Sequence, residues 1–174
     1  RTVALGHNGN LVNAEALRER IAKRLASSSD SEVMAAMIAD DERPLEVSVP
    51  AMMAQLTGAA TVVGLSEGRL FAFRDAHGFR PLVLGRIPEV AGASDAALWA
   101  TEGARDGWVL SSETTGLDII GAEFVRDVEP GEMVILESGR EPRSVRFAPA
   151  DPALCVFEMI YFARPDSYME GRNL

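Results

Sequence analysis

The sequence predicts an α+β fold, on three observations. Helix-period apolar patterning is confined to residues 13–56, short apolar or alternating runs recur from residue 59 onward, and those runs follow one another through Gly-containing turns. A parallel sheet would need helices between its strands, whereas hairpin-linked strands after a block of helices give an antiparallel architecture. At 174 residues, 47% hydrophobic and 25% charged, the chain supports one sizeable core.

The elements follow in order. Residues 2–5 read as a strand that leads into Gly6-His7-Asn8-Gly9-Asn10, where the Asn-Gly pair predicts a tight turn. Asn13 is placed to cap a helix whose Leu17, Ile21 and Leu25 recur on one face, with Glu19 and Lys23 paired across a turn. Ser29 and Glu32 have capping-box spacing, and Val33, Met34, Met37 and Ile38 give a helix over residues 31–39 an apolar face. A third helix is expected over 45–56, after Pro44. Strands are expected at 59–65, 70–74, 82–86, 108–111, 123–128, 133–137 and 144–147, with turns at Glu67-Gly68, His77-Gly78, Pro130-Gly131 and Ser138-Gly139. Residues 87–106, rich in Ala and Gly, read as a surface loop or insertion. Residues 155–162 are apolar and aromatic and read as a core-like strand, with Phe157, Tyr161 and Phe162 in the core.

Charge and cysteine content exclude several functions. Lys plus Arg number 17 against 26 Asp plus Glu, a net charge of −9, which disfavours attraction to nucleic acid or an anionic membrane. The single cysteine forms no internal disulfide, and no apolar run approaches the roughly 18 residues of a membrane span. The expectation is a soluble, cytoplasmic protein. The chain begins at Arg1 without an initiator Met or leading loop and stops soon after an apolar segment, as expected of a chain cut from something longer.

No histidine pair has metal-ligand spacing, and neither a phosphate-binding Gly-rich loop nor a nucleophile elbow is present. Three candidates stand out. The Asn8 amide and the Gly9 N–H could face one small oxygen, as an oxyanion hole requires, although Asn-Gly also suits a plain turn. Asp30 could bind an ammonium group at the mouth of a helix, or simply favour the helix dipole. Cys155 could be a ligand or a small core residue. Arg74-Asp75 and Arg80-Pro81 flank a turn, where charges are expected to be solvated or paired.

Taken together, Gly6-His7-Asn8-Gly9-Asn10-Leu11, Ser29-Asp30-Ser31-Glu32, Phe73-Arg74-Asp75-Ala76-His77-Gly78-Phe79-Arg80-Pro81-Leu82 and Ser111-Ser112-Glu113-Thr114 resemble the glutaminase domain of class II glutamine amidotransferases. Within that class, Glu129-Pro130-Gly131-Glu132 and the block from Cys155 through Phe162-Ala163-Arg164-Pro165-Asp166-Ser167 resemble the branch that passes ammonia to phosphoribosyl pyrophosphate in de novo purine biosynthesis. The resemblance implies a four-layer αββα sandwich of the N-terminal nucleophile type, incomplete here at both ends. Residues 1–154 would be a partial glutaminase domain, and 155–174 the start of a connection into a phosphoribosyltransferase domain.

It also implies roles. Asn8 and Gly9 match the oxyanion-hole pair, and Asp30 matches the carboxylate that holds the α-amino group of glutamine. The attacking N-terminal cysteine and the arginine segment that grips the substrate carboxylate would lie upstream of Arg1, so the chain as written is expected not to hydrolyse glutamine. In one branch the cysteine matching Cys155 ligates an iron–sulfur cluster with others from the further domain, which would also use Mg2+. The complete protein would be a homo-oligomer. The rival readings are a sugar-phosphate aminotransferase, which lacks the Cys155 block, and a noncatalytic binding or regulatory module on the same scaffold.

Overall fold

Alternation along the first strand turns Val3, Leu5 and Leu11 to one side, where two helices cover them. A computed structural model describes residues 1–21, 25–88, 107–169 and 171–173. Its elements are β1 (Val3–Leu11), α1 (Ala14–Arg20), α2 (Asp30–Asp40), α3 (Leu45–Met53), β2 (Gly58–Ser66), β3 (Arg69–Arg74), β4 (Val83–Ile87), β5 (Gly107–Ser111), α4 (Thr114–Ile119), β6 (Glu123–Asp127), β7 (Glu132–Leu136), β8 (Arg143–Arg146), a π-helical turn (Glu158–Phe162), β9 (Tyr168–Met169) and β10 (Arg172–Asn173). The expected Glu19–Lys23 pair and most of the expected 87–106 insertion lie outside the described residues.

The layers follow from which side chains alternate strands deliver. An antiparallel sheet in the order β1-β2-β3-β7-β8 presents Val62, Phe71, Phe73, Met133 and Ile135 to Met34, Ile38, Leu45, Val49 and Met52 of α2 and α3. The intervening residues Ala72, Val134 and Leu136 face the other way and pack on Leu82, Leu84 and Val128. These belong to, or flank, the second sheet, ordered β5-β4-β6. Val83, next along β4, points beyond it to Leu117 of α4 and Ala122. The order is therefore helices, sheet, sheet, helix, the expected αββα sandwich. Each large apolar side chain buried this way contributes about 1.5–3 kcal/mol.

Seven expected strands are present with ends moved by one residue or so. The β2–β3 hairpin turns on Glu67-Gly68, both at positive φ (53° and 75°), between the paired Ser66 and Arg69. Asn8-Gly9 is a correction. It forms no turn: β1 runs straight through it, with Asn8 opposite Thr61 and Gly9 opposite Ala60. Pairing along the whole of β1 overrides the dipeptide's local preference. Gly9 is needed for a different reason, since a Cβ there would lie 2.2 Å from the Ala59 carbonyl oxygen.

The helix caps also differ from expectation. Asn13 stands at the N-cap of α1, but its side chain ties together Gln55 O and the Thr57 N–H instead. Ser29 does cap α2 by accepting from Ser31 N–H at 3.1 Å, whereas Glu32 accepts from the N–H groups of Ala26 and Ser27 rather than closing a box. α1 ends at Arg20 and α3 at Met53, each shorter than its apolar period. Residues 155–162 do not form a core strand. They enter the π-helical turn, with Phe157, Tyr161 and Phe162 exposed. An apolar run without alternation carries no information about which side of it is covered.

Arg74 is buried rather than solvated, and its guanidinium donates to the carbonyls of Gly78, Arg80 and Val128. Asp75 accepts from Ala60 N–H and His77 N–H, so the 75–81 loop is held from both ends. Arg80 is paired, as expected of one reading, with the buried Glu158 at 2.7 Å.

Candidate active site

β1 lies at the edge of the large sheet, so its backbone groups face alternately toward β2 and away from it. The Val12 N–H donates to Thr57 O on the β2 side. The N–H groups of Gly9 and Leu11 therefore point to the free edge. Leu11 N–H is engaged there, donating to Asp30 Oδ2 at 3.0 Å. Gly9 N–H stands two residues back on the same edge, roughly 7 Å away at the rise of an extended strand.

Asp30 is the first residue of α2, where the dipole favours an anion. Its Oδ1 lies 3.4 Å from His7 Nδ1 and 3.4 Å from Ser31 Oγ. Burial pushes its carboxyl up, but the Leu11 N–H, the positive charge of His7 and the Ser31 N–H outweigh that and hold it below the ordinary aspartate value. His7 in turn places Nε2 3.1 Å from the Ala59 carbonyl. Alternation puts the Asn8 side chain on the opposite face of β1 from His7. Among the described residues no hydrogen bond engages its amide.

The structure thus brings Gly9 and Asp30 to one strand edge, although 21 positions separate them in the chain, while the Asn8 side chain leaves β1 on the face away from His7. An N–H on a free strand edge and a side-chain amide with no partner among the described residues can donate to a developing oxyanion, and a carboxylate can hold an ammonium group. Cys155 is elsewhere, half-buried, its N–H donating to Phe79 O at 3.1 Å. It is the chain's one cysteine, and no group of three His, Cys, Asp or Glu among the described residues could hold a metal. The residues of this chain do not by themselves fit an iron–sulfur cluster, which takes several thiolates.

Sequence reasoning missed His7, whose signal was its place directly before Asn8. It also missed the work of the Ser111-Ser112-Glu113-Thr114 segment. Glu113 Oε2 accepts from Arg164 N–H at 2.9 Å and Ser167 Oγ–H at 2.7 Å, and Thr114 Oγ1 accepts from Tyr168 N–H at 2.8 Å. With Arg80 and Glu158 these contacts fasten residues 158–168 to the sandwich.

The four layers are those of a glutamine amidotransferase domain, and the chain belongs to that family, whose model matches residues 1–100. Its relatives are more particular. The chain is 41% identical to the amidophosphoribosyltransferase of Mycobacterium leprae over 99% of its own length and 30% of that protein's. It is 44% identical to the amidophosphoribosyltransferase of Synechocystis sp. over 99% of its length and 33% of that protein's. Among solved structures, glutamine phosphoribosylpyrophosphate amidotransferase from B. subtilis, complexed with ADP and GMP, superposes with a TM-score of 0.81 at 34% identity. That match covers 98% of this chain and 35% of the other. The chain spans about a third of the length of these relatives. The similarity favours neither the sugar-phosphate aminotransferase nor the noncatalytic module.

Proposed function

We propose that this chain is the glutaminase portion of an amidophosphoribosyltransferase. In that reading glutamine and water give glutamate and ammonia, and the ammonia displaces pyrophosphate from phosphoribosyl pyrophosphate to give 5-phosphoribosylamine, the amine that opens purine biosynthesis. The observation that carries it is the free edge of β1, where the Gly9 N–H stands two residues from the Leu11 N–H that anchors Asp30, with Asn8 next to Gly9 along the strand.

Asp30 binds the α-ammonium of glutamine, which places the carboxamide along the edge toward Gly9. Attack on the carboxamide carbon moves charge onto its oxygen, and Gly9 N–H and the Asn8 amide donate to that oxygen as the charge develops. Cys155 is an internal residue without a free α-amine, so it does not supply the thiol and amine that this class of reaction uses together. The attacking group comes from outside these 174 residues. So would the remaining ligands of any iron–sulfur cluster, to which Cys155 contributes one thiolate, and the Mg2+ that accompanies phosphoribosyl pyrophosphate.

The test is to supply the complete gene product with phosphoribosyl pyrophosphate and glutamine labelled in its amide nitrogen. The expected result is glutamate, pyrophosphate and label in the phosphoribosylamine. Glutamine left unconsumed, or its amide released with phosphoribosyl pyrophosphate untouched, would contradict the reading.

A further inference from the structure

We propose that His7 is a positioning residue of the glutamine site, its imidazole bracing the Asp30 carboxylate against the strand that carries Gly9. The inference rests on the reading of Asp30 as the ligand of the substrate ammonium.

The His7 side chain is only 2% exposed, and each of its ring nitrogens faces an acceptor. Nε2 lies 3.1 Å from the Ala59 carbonyl oxygen, which cannot donate, so Nε2 carries a proton. Nδ1 lies 3.4 Å from Asp30 Oδ1, an acceptor that an N–H at Nδ1 meets directly. The Ser31 hydroxyl, 3.5 Å from Nδ1 and 3.4 Å from Oδ1, bridges the same pair. Asp30 is thereby held from two directions, by Leu11 N–H on one oxygen and by His7 and Ser31 on the other.

The same ring packs against the backbone at Gly9, where a Cβ would come within 2.5 Å of Nε2. One side chain thus touches both ends of the proposed site. It sets the distance between the group that holds the ammonium and the N–H that meets the oxyanion, and a carboxylate freed to rotate binds with less of its energy directed at the reacting geometry.

The experiment measures glutamine KM and kcat in the complete gene product for His7→Ala, His7→Asn, His7→Gln, Asp30→Asn and the His7→Ala/Asp30→Asn double variant, with the ammonia-driven rate as a control on folding. His7→Ala is expected to raise KM for glutamine about tenfold, and the double variant to stay within about twofold of Asp30→Asn, because both changes remove one interaction. His7→Asn, whose amide can replace the Nδ1 donor, should recover part of the loss. His7→Gln, which reaches Ala59 instead, should not. Multiplying effects in the double variant, or equal KM values for the Asn and Gln variants, would overturn the proposal, and these two variants decide if His7→Ala does not fold. An unchanged KM in Asp30→Asn would instead overturn the reading of the site, and the role of His7 with it.

Discussion

Gly9 is constrained twice, by the backbone and by its neighbours. Its φ of 157° lies where side chains are rarely found, and a Cβ would meet the Ala59 carbonyl oxygen at 2.2 Å as well as the His7 ring. Neither obstacle can move cheaply, because one is backbone in a paired strand and the other is packed out of solvent. Gly9→Ala should therefore lower stability by about 2–3 kcal/mol. Thermal or urea unfolding of the chain checks it, and a change under about 0.5 kcal/mol would mean that the strand relaxes freely at this point. Asn8, next to it, carries no such burden. Its amide has no hydrogen-bonding task among the described residues, so loss of that amide should be felt in chemistry rather than in folding.

The elements are where legibility in the sequence divides. β2, β3 and β7 were readable because apolar residues recur within short runs closed by Glu67-Gly68 and Pro130-Gly131, and these signals are local. β1 was half readable, since the Asn8-Gly9 pair favours a turn and only the partner strand, some fifty residues on, keeps it straight. The exposed π-helical turn was not readable, because its apolar residues resemble a core strand until one knows what packs on them. What holds that turn is a pair from distant segments: Arg80 meets Glu158 at 2.7 Å and lies 4.6 Å above the Phe162 ring. Glu158 is buried, so Arg80→Ala strands a carboxylate and should cost about 3 kcal/mol, while Arg80→Met with Glu158→Met should recover most of it. Limited proteolysis within residues 155–168 reports the loosening directly. Equal cleavage of the parent and Arg80→Ala chains would show that this pair does not hold the segment.

For the whole molecule, the αββα order was expected from resemblance, and the alternation of Phe71, Ala72 and Phe73 between two cores is its physical basis. The convergence of His7 and Leu11 on Asp30 could not be read from spacing, because it depends on α2 beginning at the free edge of β1. The acid response also belongs to this scale. Burial raises the Glu132 carboxyl, but hydrogen bonds from Arg126, Ser144 and the Glu129 N–H hold it below its usual 4.5, and Asp41 is drawn down to about 2, chiefly by Arg43. Carboxyls lowered by folding stabilise the fold above their ordinary values and lose that contribution as pH falls through the lowered ones. The melting temperature should therefore decline from about pH 4.5 toward pH 2, and Glu132→Gln should shallow the slope. A melting temperature that is flat or rises over that range would contradict the assigned ion pairs.

The most direct test of the central claim, that the free edge of β1 is an oxyanion site for glutamine, compares two nitrogen sources in the Asn8→Ala variant of the complete gene product. The account predicts that the glutamine-driven rate falls roughly a hundredfold or more while the ammonia-driven rate and the melting temperature hold, because one transition-state donor has been removed and nothing else. Equal losses with both nitrogen sources, or none with either, would contradict it.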